Sequence, residues 1–213
     1  TMLGNEERTL YLRELVNTYL YKDILEVEGL RHSDKLLRLL QLLAFQIGSE
    51  VSLSELGRQL EMNNHTVERY LDLLEKTFVI FHIGGFSRNL RKEISKSSRY
   101  YFYDVGVRNA LIDNFNPLAL RNDAGMLWEN YCVVERIKYQ EYVGPRARNY
   151  FWRTYTKQEI DWVEEYSGKL CGYEMKWGTK KNPKIPKTWH TTYPEASYQV
   201  INPNNYRPFI GAE

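Results

Sequence analysis

The chain has 213 residues, enough for one large domain or two small ones, each with its own core. Lys and Arg total 29 against 27 Asp and Glu, so the molecule is no polycation and a nucleic-acid partner has to be held by local patches. Aromatic residues at 14% argue against disorder, no stretch approaches the ~18 apolar residues of a membrane span, and the N-terminus lacks the basic-then-apolar pattern of a secretory leader.

From Glu7 to Glu28 the apolar residues Leu10, Leu12, Leu15, Val16, Tyr19, Leu20, Ile24 and Leu25 recur mostly three and four residues apart, which predicts one long or two short amphipathic helices. A second helix is predicted from Ser33 to Ile47, where Leu36, Leu37, Leu39, Leu40, Leu42 and Leu43 give the nearly all-round apolar surface of a buried helix. Ser52-Leu53-Ser54-Glu55 is a capping box that opens a short helix burying Leu53, Leu56 and Leu60 and stopping near Met62. Asn63 or Asn64 then caps a third helix to Lys76, with Val67, Tyr70, Leu71, Leu74 and Phe78 facing inward.

Phe78 to Ile83 reads as a strand, Gly84 and Gly85 open a polar loop, and Tyr100 to Tyr103 returns as a second strand. Helices with a tight middle turn, followed by such a ribbon, predict a winged helix-turn-helix domain. Its loop gathers Arg88, Arg91, Lys92, Lys96 and Arg99 within twelve residues, against Glu93. The DNA-binding candidates are Asn64, His65, Thr66 and Arg69, at the end of the third helix that reaches base edges when such helices dock in a major groove, and Arg88, Arg91, Lys92 and Lys96, which would neutralise phosphates. The alternative is a solvated helix end and loop, or a protein partner, and Glu68 disfavours a nearby phosphate.

Pro117 and several Asn residues between Asp113 and Asp123 mark a linker, and the pattern then changes to α/β. A helix is predicted from Ala124 to Tyr142, strands over Asn149 to Arg153, Glu159 to Glu164 and Leu170 to Trp177, a basic stretch over Lys180 to Lys187, and a closing strand over Tyr198 to Ile201. The domains expected are a helical segment at 1–32, the winged helix at 33–115 and a mixed sheet flanked by helices at 116–213. The fold class is α+β to α/β.

The two middle strands form a hairpin. A turn centred on Ser167-Gly168 pairs residues whose numbers add to 335, which sets Asp161 opposite Glu174 and Glu159 opposite Lys176. Strict alternation puts Ile160, Trp162, Tyr173, Met175 and Trp177 together on the other, apolar face. Two acids opposed across a hairpin repel by roughly 0.2 to 1 kcal/mol, a cost that a hard cation offsets. Mg²⁺ takes one or two carboxylates and keeps waters and open positions for a phosphate oxygen and a nucleophile. Lys176, on the same face, is placed to orient or deprotonate a water and to stabilise charge on a phosphate. The bland alternative leaves Asp161 and Glu174 solvated and pairs Glu159 with Lys176.

An Asp followed by Glu-x-Lys across two adjacent strands, after an N-terminal helix, resembles the PD-(D/E)XK nuclease superfamily. More narrowly, the segments YLRELVNTYLYKDI at Tyr11 to Ile24, RYYFYDVGVRNAL at Arg99 to Leu111, LWENY at Leu127 to Tyr131, YFWR at Tyr150 to Arg153, EID at Glu159 to Asp161 and YEMK at Tyr173 to Lys176 resemble the C-terminal region that follows the ATPase module in a large family of bacterial and archaeal AAA-type ATPases. That resemblance implies a winged helix followed by a restriction-endonuclease-like domain, with Glu129 as a first acidic position, Asp161 and Glu174 as metal ligands, and Glu129, Asp161, Glu174 and Lys176 as the catalytic set. It implies Mg²⁺ or Mn²⁺ as cofactor and hydrolysis of phosphodiesters. Ile160 stands where the superfamily's proline would be. No GxxxxGK[ST] loop occurs in the chain, so ATP is expected only in an ATPase module outside it.

Glu129 is read equally as a helix-start acid and as part of the metal site, and Arg153 as a salt-bridge residue rather than a phosphate binder. Cys132 and Cys171 match no ligand spacing and are read as reduced, buried thiols, which favours the cytoplasm; His32, His82 and His190 form no zinc pattern. DNA and the chain's own ATPase module are the expected partners, with no membrane, and a homo-oligomer is compatible with the sequence. The alternative function is a non-catalytic DNA- or protein-binding regulatory module of the ATPase.

Overall fold

The computed structural model describes residues 5–16, 18, 33–88, 97–178 and 183–212. Tyr19, Leu20, Ile24 and Leu25 of the predicted N-terminal helix, His32, the loop residues Arg91, Lys92 and Lys96, and Lys180 and Lys181 lie outside the described residues. The fold is mixed α+β. In chain order the described elements are α1 (Asn5–Leu15), α2 (Ser33–Phe45), β1 (Glu50–Val51), α3 (Leu53–Leu60), α4 (Asn64–Lys76), β2 (Ile80–Gly85), β3 (Ser98–Phe102), α5 (Val105–Leu111), α6 (Ala124–Tyr142), β4 (Arg148–Arg153), β5 (Glu159–Tyr166), β6 (Lys169–Met175), α7 (Lys187–Thr192), β7 (Ser197–Ile201) and α8 (Tyr206–Phe209). Among the described residues no helix is long and apolar enough to cross a membrane.

The chain divides into two compact units, Thr1–Phe81 with Tyr100–Arg121, and His82–Arg99 with Asn122–Glu213. In the first, α2 buries Leu36, Leu39, Leu40, Leu43 and Ala44. The Ser52 hydroxyl accepts from Glu55 N at 3.3 Å and starts α3, while the Asn63 side chain accepts from Thr66 N at 2.8 Å and starts α4. Each cap supplies an acceptor to a first-turn N–H that the helix itself leaves unpaired.

Phe78 does not face inward as the spacing predicts: it lies past the end of α4 at φ 55°, is 72% exposed, and meets Tyr103 edge-on. A left-handed residue turns the chain before the buried run Val79, Ile80 and Phe81, and the helix, which ends at Lys76, stops two residues before Phe78. Helix α5 has no counterpart among the predicted elements. Asp104 caps it, accepting from Val107 N at 2.9 Å, and Arg108 on it is buried, its Nε donating 2.8 Å to the Ala44 carbonyl at the end of α2. A guanidinium there satisfies a carbonyl that the last helical turn leaves without a partner.

In the second unit the strand order is β2-β4-β5-β6-β7, with β4-β5 and β5-β6 antiparallel and β2-β4 and β6-β7 parallel. Gly84 and Gly85 are strand residues, paired with Tyr150 and Phe151, and the polar loop begins beyond them. The hairpin pairs Trp162 with Tyr173 and Tyr166 with Lys169, so the five-residue loop expected from Glu165 to Lys169 shrinks to Ser167-Gly168. Both turn residues have positive φ, 50° and 76°, the conformation that matches the twist of a two-residue hairpin.

Strict alternation along β5 fails at one point. Between the pairs Tyr150↔Val163 and Trp152↔Ile160, β4 supplies Phe151 alone and β5 supplies both Asp161 and Trp162. The extra residue is a β-bulge, which bends a strand and re-aims side chains. As a consequence Ile160 joins Val163, Leu170, Trp152 and Trp189 in one core cluster and does not share a face with Trp162. The Trp162 indole instead donates 2.8 Å to Glu164, which is held bidentately by Arg136 at 2.6 and 2.7 Å. Trp177 is 41% exposed and is not a core residue. Cys132 is buried but Cys171 only partly so, and both are free thiols.

Candidate functional site

The bulge leaves Asp161 at the end of the hairpin ladder, one position beyond Trp162↔Tyr173, beside Glu174 on the neighbouring strand. Both acids are buried, at 5% and 8% exposure. Asp161 Oδ2 accepts from Met175 N at 2.9 Å, so a side chain completes the pairing where backbone pairing ends. Lys176 follows β6, its N donating 2.8 Å to the Ile201 carbonyl on β7, and its Nζ reaches back to Glu174 Oε1 at 2.5 Å and to Asp161 Oδ2 at 4.0 Å. Glu174 Oε2 is buried without a hydrogen-bond partner. Asp161, Glu174 and Lys176 therefore lie together in the second unit.

Glu159 is not the partner of Lys176. Its carboxylate bonds Arg99 Nη2 at 2.9 Å, and Arg99 Nη1 lies 3.6 Å from Asp161 Oδ1 and 3.9 Å from Glu129 Oε1. Arg99, counted in the sequence with a solvated basic loop, is instead a buried residue of β3 with its guanidinium 4.6 Å over the Phe151 ring. Glu129 is in the second turn of α6 and its side chain is 16% exposed. Among the described residues these contacts join the carboxylates of Glu129, Glu159, Asp161 and Glu174 to Arg99 and Lys176.

Burial dominates the proton affinities. It pushes the Asp161 carboxyl above the usual range, with Lys176, Arg99 and the Met175 N–H opposing. Burial and the Asp161 charge raise Glu174 to about 7, against the pull of Lys176. Burial works to lower Lys176, but the charge of Asp161 and the bond to Glu174 outweigh it, so the ammonium is held more firmly than usual. Tyr198 on β7 is raised by burial and by the Glu174 and Asp161 charges, which places its phenol within their field.

Residues 2–118 match the family described as Domain of unknown function (DUF8612). The chain belongs to the DUF8612 family. Residues 124–210 match a second family, Domain of unknown function (DUF4143), and these contain Glu129, Asp161, Glu174 and Lys176. The DUF8612 chain is 26% identical over 212 residues to Uncharacterized protein Rv2008c of Mycobacterium tuberculosis and, equally, to Uncharacterized protein Mb2031c of Mycobacterium bovis, covering 97% of this chain and 47% of each relative. Uncharacterized protein MJ1637 of Methanocaldococcus jannaschii is 30% identical over 113 residues, 51% of this chain and 24% of the relative. The chain spans about half the length of the two mycobacterial relatives. No solved structure gives a significant match.

The DNA-binding candidates of this DUF8612 member fall into two settings. Asn64, His65 and Arg69 are exposed on α4; Asn64 Nδ2 reaches Ser54 Oγ at 3.3 Å, and Thr66 is tied by its N and hydroxyl to Asn63 at 2.8 and 2.9 Å. Arg88 lies in the second unit, where its guanidinium bonds Glu165 at 2.8 Å. Arg153 ends β4 at the position paired with Glu159. Arg99 was not singled out in the sequence as a site residue, because there it is one of a run of basic residues.

Proposed function

We propose that the second unit is a metal-dependent phosphodiesterase of PD-(D/E)XK type, and that the helical elements from α2 to α4 with the β2-β3 ribbon form a winged helix that engages DNA. The observation that carries the first reading is the pair of buried acids on adjacent strands, linked by Lys176, with Glu174 Oε2 lacking any donor. An unpaired buried carboxylate oxygen is costly and a cation satisfies it. Among the described residues no group of three or more His, Cys, Asp and Glu side chains is gathered to hold a metal ion. Two hard oxygen donors suit Mg²⁺ or Mn²⁺, which leave their remaining positions to water and phosphate, and not zinc. Asp161 and Glu174 would hold the ion, which supplies Lewis acidity toward a phosphate oxygen and a bound water. Lys176 holds Glu174 in place and presents an ammonium beside the two acids to charge gathering on a phosphate.

The order α2, β1, α3, α4, β2, β3, with exposed Asn64, His65 and Arg69 at the start of α4, supports the DNA-binding reading. DUF4143 is a domain often found in AAA-ATPase-associated proteins, and the relatives extend well beyond the matched region. Both support reading the chain as the C-terminal part of an AAA-type ATPase family protein. A non-catalytic regulatory module is the second reading, favoured by Arg99, which already pairs with Asp161 and Glu159.

Melting of wild type and Asp161→Asn with Mn²⁺ or EDTA, followed by incubation of both with single- and double-stranded DNA, tests the site. Wild type gains stability with Mn²⁺ by specific binding to the folded state and cuts DNA, and Asp161→Asn does neither. A metal-dependent gain without cleavage favours the regulatory module, and equal cleavage by both proteins points to a contaminant.

A further inference from the structure

Asp161, Glu174 and Lys176 account for one half of the cluster, and Arg99 occupies the other. Arg99 is 5% exposed, and its guanidinium lies within 4 Å of three carboxylates that come from α6 and β5. Many phosphodiester-cleaving sites hold two ions about 3.5 to 4 Å apart and bridge them with a shared carboxylate. Asp161 sits between the two halves as such a bridge would, yet its Oδ1 faces Arg99 while its Oδ2 faces Met175 N and Lys176. The atom left without a donor, Glu174 Oε2, belongs to a residue only 8% exposed and lies on the Lys176 side.

We propose that Arg99 is a resident cation standing where a second ion would otherwise bind, so that this centre takes a single divalent cation, on the Asp161 and Glu174 side. The proposal rests on the metal-dependent reading above and makes Arg99 a positioning residue. Arg99 suits the task chemically: a guanidinium stays protonated when buried and its fork contacts several carboxylates at once.

Titration of the full 213-residue chain with Mn²⁺, read by the electron paramagnetic resonance of free ion and by calorimetry, tests this directly. Wild type and Arg99→Lys, which keeps the charge, each bind one ion per chain. Arg99→Gln, which keeps hydrogen-bonding capacity without the charge, binds a second. Circular dichroism establishes that each variant is folded, and the wild-type count decides even if Arg99→Gln is not. Two ions in wild type, or one in folded Arg99→Gln, overturn the role of Arg99 while leaving a metal-dependent site intact. No ion in wild type removes both readings.

Discussion

The Nζ of Lys176 sits 2.5 Å from Oε1 of Glu174, two residues back along the same chain. The other carboxylate oxygen of Glu174, Oε2, is buried without a hydrogen-bond partner. Lys176 is thereby committed to the acid pair and not to Glu159 across the hairpin.

Glu174 carries a measurable consequence of that burial. Its proton affinity is raised from an ordinary 4.5 to about 7, so as pH rises the unfolded chain releases this proton before the folded one does. Stability therefore falls across that window, the reverse of a salt-bridged acid. In EDTA at pH 8, Glu174→Gln unfolds in urea with about 1 to 3 kcal/mol more stability than wild type, and the difference shrinks toward zero at pH 4.5. A variant no more stable than wild type at pH 8 would show that the ionised acid carries no penalty in the fold.

Arg136 gives the opposite expectation. Its guanidinium holds Glu164 through two bonds of 2.6 and 2.7 Å and donates 2.6 Å to the Phe209 carbonyl, with Tyr139, Tyr173 and Phe209 rings around it. Arg136→Met leaves the Glu164 side chain buried, with Gln140 and Trp162 as its donors among the described residues. Unfolding of the second unit is then easier by about 3 to 5 kcal/mol at neutral pH, and Glu164→Gln in the Arg136→Met background recovers part of the loss. Additive effects of the two substitutions would dissolve the pair as a unit.

The proposal that α4 engages DNA predicts a difference between an exposed arginine and one already bonded to an acid. Arg69 is exposed, with its guanidinium 5.7 Å from the Tyr70 ring, whereas Arg88 bonds Glu165. Affinity for a short duplex falls with salt, and Arg69→Ala lowers the slope of log affinity against log salt by about 0.9, the value for one phosphate contact. Arg88→Ala changes the slope less. Salt-independent binding, or none at low salt, turns the first unit toward a protein partner.

The hairpin was legible in the sequence because period-two patterning and a Ser-Gly turn together fix register, and Trp162↔Tyr173 obeys it. The helices from α2 to α4 were legible from their caps and apolar spacing. Short elements were not: α5 and α7 hold seven and six residues, too few to show a helical period. Asp161 and Glu174 could be found from spacing because they are close along one hairpin. Arg99 could not, since its three acidic partners lie 30 to 62 positions away and an arginine in a basic run looks like every other. The bulge was hidden as well, because Asp161-Trp162 has no special composition.

That single unpaired residue links two properties that are otherwise tuned separately. Loss of one codon between Ile160 and Val163 would restore an uninterrupted ladder with Ile160 and Val163 still on one face, but it would remove either Asp161, an acid of the centre, or Trp162, the indole that donates to Glu164. A shorter homologue at this point therefore keeps the hydrophobic cluster and gives up either the acid or the indole.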